Sequence, residues 1–375
     1  MRSRTIHLPG GSCPPSVLIE TSRDAGRPPD LALAFLPPED SLRHTLAAMT
    51  AAWPDALRVG CEAVTQFAGP EATGKGAIQL FWFDAPGHRA TVEVIPGTHG
   101  EPPSAKRVES VARRIAGSDG ALLLVDGLRF PAEPFLAELR RILVSVPPLV
   151  AGGLASRMTT VGARVFVGER VLPSACLVIT LHGVSMRVEV MRGWSPASPI
   201  YTVTRAAGGV VHEIEGMRAT DWYRRFFTVQ GELAPMPDTA NRFPLIVEGP
   251  RPERQGLYRA MSGFDDPPGS VTFLGDVETG DRVRLGMGNE CSLVGAASEL
   301  AAGPAPEAAI LYSCTGRESL LGDRSSAEVA AIHRALRGVP LSGFFTCGEI
   351  APTARGNLGF YNLTAILVLL WELGA

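Results

Sequence analysis

The stretch Ala121-Leu-Leu-Leu-Val-Asp-Gly-Leu-Arg-Phe-Pro-Ala-Glu-Pro-Phe-Leu-Ala-Glu-Leu-Arg-Arg-Ile-Leu-Val-Ser-Val-Pro-Pro-Leu-Val-Ala-Gly-Gly153 decides the fold class. Ala121–Val125 is an unbroken apolar run of strand length, which suits a strand buried on both faces. Glu133–Val146 then places Leu136, Leu139 and Leu143 on one helical face. Leu149–Gly153 returns as a second buried strand ending in two glycines. Strand, helix, strand is the unit of an α/β layer.

Working towards the N-terminus, the pattern repeats. Leu31–Leu36 reads as a strand. Ser41 opens a helix with Leu42, Leu46 and Met49 on one face, Pro54 ends it, and Ala56–Cys61 is the next strand. Ile78–Phe83 and Thr91–Ile95 read as two antiparallel strands joined by a polar turn. Ser104 caps a helix with Val108, Val111 and Ile115 inward and Gly117 as its stop. Residues 1–29, rich in proline and glycine, read as a loosely ordered arm with one edge strand at Val17–Ile19.

Towards the C-terminus the pattern changes. Val161–Val167, Ala175–Leu181, Ser185–Met191, Ile200–Thr204 and Val210–Ile214 are strands with short connections, the last two around Gly208-Gly209. They read as an antiparallel insert closing the first half. Thr220–Phe227 is a short helix, and the prolines from Pro235 to Pro252 mark loose connections. The strand–helix logic then resumes. Val271–Leu274 and Arg282–Met287 are strands, and Glu290–Leu300 is a helix closed by Gly303. Ala309–Ser313 is a strand. Ser325 and Glu328 form a capping box before Val329, Ile332 and Leu336, with Gly338 as the stop. Leu341–Thr346 and Leu363–Leu370 are the last strands. Gly60-Cys61-Glu62 and Cys347-Gly348-Glu349, each at a strand end, are an internal echo. The expected architecture is α/β (α+β): two related halves of mixed β-sheets covered by helices, with the antiparallel insert in the first.

Composition narrows the function. Of 375 residues, 45% are apolar and 19% charged, a globular composition. The net charge of −3 comes without a basic stripe, which argues against nucleic acid. The cysteines Cys13, Cys61, Cys176, Cys291, Cys314 and Cys347 form no zinc-ligand spacing and suit a reducing cytoplasm. No signal-peptide core and no apolar run long enough to span a bilayer occur, so a cytoplasmic location without membrane contact is expected. Gly69–Gly76 misses a phosphate-binding loop because Gly76 stands where Ser or Thr must hold magnesium. Gly286–Cys291 lacks the third glycine of a dinucleotide fingerprint.

The informative segments are Ile310-Leu-Tyr-Ser-Cys-Thr-Gly-Arg317, continuing to Gly322-Asp323-Arg324, then Gly343-Phe-Phe-Thr-Cys-Gly-Glu-Ile-Ala-Pro352, then Tyr361-Asn362-Leu363-Thr364. Two strands end in Cys314 and Cys347, each next to glycine and charge, and strand ends of α/β sheets are where ligands bind. Arg317 offers a planar donor fork to a carboxylate and Glu349 an acceptor for an amine. An internal ion pair or helix capping accounts for them equally well.

These segments resemble the signature of the C-terminal FIST domain. Asp30–Phe35, Leu57–Cys61, Val150–Ser156, Arg192–Pro196, Tyr201–Ala206 and Glu213–Gly216 resemble the N-terminal FIST domain. The resemblance runs from about residue 30 to the C-terminus and divides the chain at 30–217 and 218–375. It implies a cytoplasmic sensory input domain in bacterial signal transduction. Such a domain takes a small ligand, an amino acid or similar metabolite, and acts on a separate partner such as a histidine kinase. Some family members are similar but bind haem and sense nitric oxide. Tyr361 stands here where the pattern has His, and Cys347 where it has an aromatic; the first weakens the haem reading, although Tyr and Cys can ligate haem iron.

The expected ligand site is therefore Cys61, Glu62, Trp194, Arg317, Phe345, Cys347, Glu349 and Asn362, with no metal and no catalysis. Haem is the alternative cofactor. A thiol enzyme using Cys347 or Cys314 is the third reading, opposed by Glu349 nearby and by the lack of a His next to either cysteine in the sequence.

Overall fold

The structure is a computed structural model that describes residues 1–9, 13–38, 42–97, 101–143, 149–155, 162–249, 254–296, 304–353 and 356–374. Ser41, the 144–146 end of the helix expected from Glu133, Ser156, Val161, Pro250, Pro252, and the 297–300 end of the helix from Glu290 with its Gly303 stop fall outside those residues.

Three six-stranded sheets share one topology. At the centre of each, two parallel strands flank a helical connection: Leu31–Leu36 with Leu57–Glu62, Gly120–Asp126 with Leu149–Ala155, and Ala308–Cys314 with Leu341–Thr346. An antiparallel strand joins the first of each pair: Ala77–Trp82, Ala175–His182 and Ala365–Glu372. Outside that lies another antiparallel strand: Arg2–His7, Arg89–Pro96 and Val184–Met191. A short hairpin completes the other edge. It is 165–172 in the first sheet, 349–361 in the second and 66–73 in the third.

The connections pass between sheets in a cycle. The hairpin after Leu57–Glu62 joins the third sheet, the one after Leu149–Ala155 joins the first, and the one after Leu341–Thr346 joins the second. The mixed sheets under helices are as expected, and the internal relationship is carried by three units. One glycine position marks the repeat. A Cβ on Gly60, Gly152 or Gly343 would sit 1.8, 2.2 and 1.8 Å from the carbonyl oxygen of Ala34, Leu123 and Leu311 on the adjacent parallel strand. Only glycine permits that approach. With Gly343 equivalent to Gly60, Phe344-Phe345, not Cys347-Gly348-Glu349, stand in the place of Cys61-Glu62, so the expected echo is not an equivalence.

Alternation along each central strand separates two faces. Leu33, Phe35, Leu122, Leu124, Ile310 and Tyr312 join one common core. Ala32, Ala34, Leu123, Val125, Ala309 and Leu311 face outward under helices. The covering residues are those the helical spacing indicated: Leu42, Leu46 and Met49; Val108, Val111 and Ile115; Leu136 and Leu139; Val329, Ile332 and Leu336. A nine-stranded antiparallel sheet, with the helix Ala219–Phe227 against it, adds Val203, Val211, Trp222 and Leu245 to the common core.

Four local expectations are corrected. Residues 1–29 contain the edge strand Arg2–His7 and a helix Pro15–Ser22, so Val17–Ile19 is helical. Pro15 at the first helical turn starts that helix, because its fixed φ suits the position and its missing N–H is not needed there. The strands around residues 78–83 and 91–95 lie in different sheets and do not pair with each other. The strands between 165 and 214 are antiparallel as expected, but they are distributed over four sheets and do not form one insert. Ser325 is the first helical residue of Ser325–Ala335, so it forms no capping box, and Glu328 turns inward instead.

Candidate functional site

Seven of the eight residues singled out in the sequence are buried, and Cys347 is half-buried. Arg317 is 0% exposed. Its Nε donates to Glu328 Oε1 at 3.0 Å, its Nη2 makes a second bond to the same carboxylate, and its Nη groups also donate to the carbonyls of Arg192 and Leu293. Glu328 in turn accepts from Ser313 Oγ at 3.0 Å. The donor fork is filled from inside, which is the ion-pair reading. Trp194 packs against Leu293, Cys314 and Leu363, and its Nε1 donates to the Leu363 carbonyl at 2.8 Å.

Glu349 accepts from Thr346 Oγ1 at 2.6 Å, and from Thr364 Oγ1 at 2.8 Å and its backbone N–H at 3.2 Å. Burial outweighs these bonds and raises its carboxyl to about 7. Asn362 accepts from the Ala260 N–H at 3.4 Å and donates to the Tyr361 carbonyl at 2.9 Å. Between Asn362 and Thr364, Leu363 holds a left-handed φ of 58°. Trp194, Glu349 and Asn362 thus converge on the turn 361–364, while Arg317 is tied to Arg192, two residues before Trp194.

The other four lie apart from that turn. Cys61 is in the common core. Glu62 is paired with Arg164, whose Nε and backbone N–H both stand 2.9 Å from Oε2. Phe345 meets Phe67 edge-on with centroids 4.7 Å apart. Cys347, half-buried, points its thiol at the Leu154 and Ala155 carbonyls. Burial and Glu349 push the Cys314 thiol well above its ordinary value, the opposite of what a thiolate nucleophile needs.

A cleft of about 430 Å³ is lined in part by Phe360, the residue before the 361–364 turn. None of the eight residues lines it. Its walls are Glu133, Ala137, Arg140 and Arg141 from the helix Ala132–Ile142, and Arg254, Leu257 and Arg259 from the segment entering and forming Gln255–Arg259. Asp276 and Glu278 follow from the next turn, and Thr353, Asn357, Leu358, Gly359 and Phe360 from the second sheet's hairpin. Arg254 is paired with Asp281 through Nε at 3.1 Å and Nη2 at 2.6 Å, and Nη1 lies 3.2 Å from Glu278. Arg140 reaches Glu133 at 2.5 Å, and Arg141 reaches Glu138. Arg259 forms part of the cleft wall. Its Nε donates to the Asp276 carbonyl and its Nη1 to those of Tyr258 and Phe360, all at 3.1 Å.

The turn and the cleft are one construction. Tyr258 Oη donates to the Trp194 carbonyl at 3.2 Å, and Asn362 holds Ala260, so the residues on either side of Arg259 are fixed by the signature residues behind them. The sequence reading missed the cleft because Arg254 and Arg259 follow a proline-rich stretch, Arg140 and Arg141 sit on the polar side of a helix read for its apolar face, and the four recur at no telling spacing. Among the described residues lining it there is no His, Cys, Met or Tyr, so these residues do not fit the axial ligation of a haem. No helix in the described residues is long and apolar enough to cross a membrane.

Family models for the FIST N domain and the FIST C domain match residues 30–217 and 219–352. The chain belongs to the FIST family. FIST domains are generally sensory domains of signal transduction. Among curated proteins the chain is 29% identical over 263 residues to uncharacterized protein Rv0628c of Mycobacterium tuberculosis, covering 66% of this chain and 67% of that one. It is 28% identical over 261 residues to uncharacterized protein Mb0898c of Mycobacterium bovis, covering 66% of each. In this FIST protein the cleft joins both matched regions. Residues 133–141 come from the N-terminal match, residues 254–278 from the C-terminal match, and 353–360 from the hairpin just beyond it.

Proposed function

We propose that this FIST protein is a sensory domain that takes a small metabolite, an amino acid or a molecule of similar size, into the cleft between its two matched regions. Occupancy is then read by a separate signalling protein such as a histidine kinase. The observation that carries this reading is the cleft itself, a concave site of small-ligand size whose walls come from both FIST regions. A ligand touching the helix Ala132–Ile142, the segment 254–259 and the 349–361 hairpin together would bias how these elements sit on one another. A binding event needs such differential contact to become a signal.

A thermal-shift screen of the whole chain against amino acids and organic acids tests it. A ligand at a hundred times its Kd stabilises the fold by about 2.7 kcal/mol, a readable rise in Tm. Failure of every compound in a broad panel to stabilise the chain would count against a receptor role.

A further inference from the structure

Among the described residues three arginines are buried: Arg254, Arg259 and Arg317. Arg254 has Asp281 and Arg317 has Glu328 at hydrogen-bond distance. Arg259, 3% exposed, has three backbone carbonyls and no carboxylate, and its Nη2 has no protein acceptor among the described residues. Carbonyls orient a guanidinium without neutralising it, and a buried unpaired charge is costly. Burial lowers the group to about 10, so it is still a cation at neutral pH. Of the charges around it, Glu133 and Asp276 favour the cation and Arg254 and Arg140 oppose it, and together they do not make up for the burial.

Two further details make this a built site. Gly275, at φ 95°, carries no side chain where a Cβ would lie 3.2 Å from Arg259 Cζ and Nε and 3.1 Å from the Phe360 ring. The backbone therefore approaches the guanidinium closely at a position that a side chain would crowd. Of the other residues lining the cleft, Thr353 and Glu133 each have a buried oxygen, Oγ1 and Oε2, with no hydrogen-bond partner among the described residues. A free N–H, a hydroxyl and a carboxylate oxygen thus lie around one cavity, each lacking what a bound molecule would supply.

We propose that the cleft binds a small molecule through an oxyanion, a carboxylate or a phosphate, that serves as the counter-ion of Arg259, with Thr353 hydrogen-bonding the same molecule. This rests on the ligand-sensing reading above and names its ligand class. Arg254 and Arg140, already paired, supply the positive rim. Glu133 Oε2 accepts from a hydroxyl or ammonium elsewhere on the ligand.

The test uses the whole chain, with inorganic phosphate and succinate titrated separately against sodium chloride of equal ionic strength, followed by calorimetry. One of the two should raise Tm beyond the chloride control, and the better one names the oxyanion. Arg259→Leu should weaken its binding by about 10- to 100-fold, the worth of hydrogen bonds to a charged group. If Arg259→Leu does not fold, Thr353→Val should still cost several-fold, and selenate soaked into crystals of the unaltered protein should give an anomalous peak beside Arg259. Equal effects of phosphate, succinate and chloride would overturn the inference, as would a selenate peak only elsewhere. Should neutral compounds stabilise the chain while both oxyanions fail, this inference falls and the sensory reading stands. Should nothing stabilise it, both fall.

Discussion

The Arg317 guanidinium and the Glu328 carboxylate form a fully buried ion pair across the turn between the helices Thr315–Leu321 and Ser325–Ala335. Ser313 and the carbonyls of Arg192 and Leu293 complete its hydrogen bonds. Removing one member strands the other charge in the interior, at about 3–5 kcal/mol. Arg317→Met and Glu328→Gln should each lower the free energy of unfolding in urea by that amount, with a matching fall in midpoint, and the double variant should cost clearly less than the sum of the two. Strictly additive losses would show that the pair is not coupled. Unchanged midpoints would return Arg317 to the list of ligand contacts.

Glu349 gives a pH signature. Its folded value of about 7 lies above the ordinary carboxyl value, so between roughly pH 4.5 and 7 the folded state holds a proton that the unfolded state has lost. Its contribution to stability is therefore fully present below pH 4.5 and is lost as pH rises through about 7. Replacement by Gln, a neutral near-isostere, removes that dependence. The stability of Glu349→Gln relative to the parent should rise by about 3 kcal/mol between pH 4.5 and 8, measured by urea unfolding. A constant difference over that range would mean the carboxyl titrates normally in the fold.

The three equivalent glycines predict three equivalent lesions. Gly60→Ala, Gly152→Ala and Gly343→Ala each drive a methyl against a strand carbonyl that the sheet cannot move away. Each should cost about 3 kcal/mol, the upper range of overpacking. Gly208→Ala, with open space around its Cβ in the hairpin turn, should cost only the strain of its positive φ. If one of the three central variants matched Gly208→Ala, the threefold register would be wrong at that sheet.

How much of this was legible in the sequence follows from the range of each signal. Ala121–Val125, Leu136 and Leu139, and Leu341–Thr346 declare themselves locally, because a strand buried on both faces must be apolar throughout and a covering helix must be apolar on one side. Strand partners are not local. Ile78 pairs with Ile6 and Ala34, while the next strand pairs with residues 175–182, and nothing within residues 78–95 states this. The threefold repeat was hidden because its sheets exchange hairpins, so each unit is discontinuous in the chain. At the site, the signature residues were found but their role was not. Trp194 and Asn362 support the wall from behind, whereas Arg259 follows a proline-rich stretch and is set apart from the other buried arginines among the described residues, Arg254 and Arg317, by lacking a carboxylate at hydrogen-bond distance, which is a property of the fold.

Cysteine reactivity separates a receptor from a thiol enzyme. Cys291 is exposed, Cys347 is half-buried, and Cys13, Cys61, Cys176 and Cys314 are buried. Burial, with Glu349 behind it, holds the Cys314 thiol protonated far above neutral pH; burial and Glu62 do the same for Cys61. Alkylation by iodoacetamide depends on the thiolate, so at pH 7.5 it should modify Cys291 first and leave Cys314 untouched until the chain is unfolded in urea. Peptide mapping by mass spectrometry reads the order directly. Rapid, selective modification of Cys314 or Cys347 in the folded protein would reveal an activated thiolate that neither the burial nor the neighbouring charge accounts for, and would reopen a catalytic role for the strand ends.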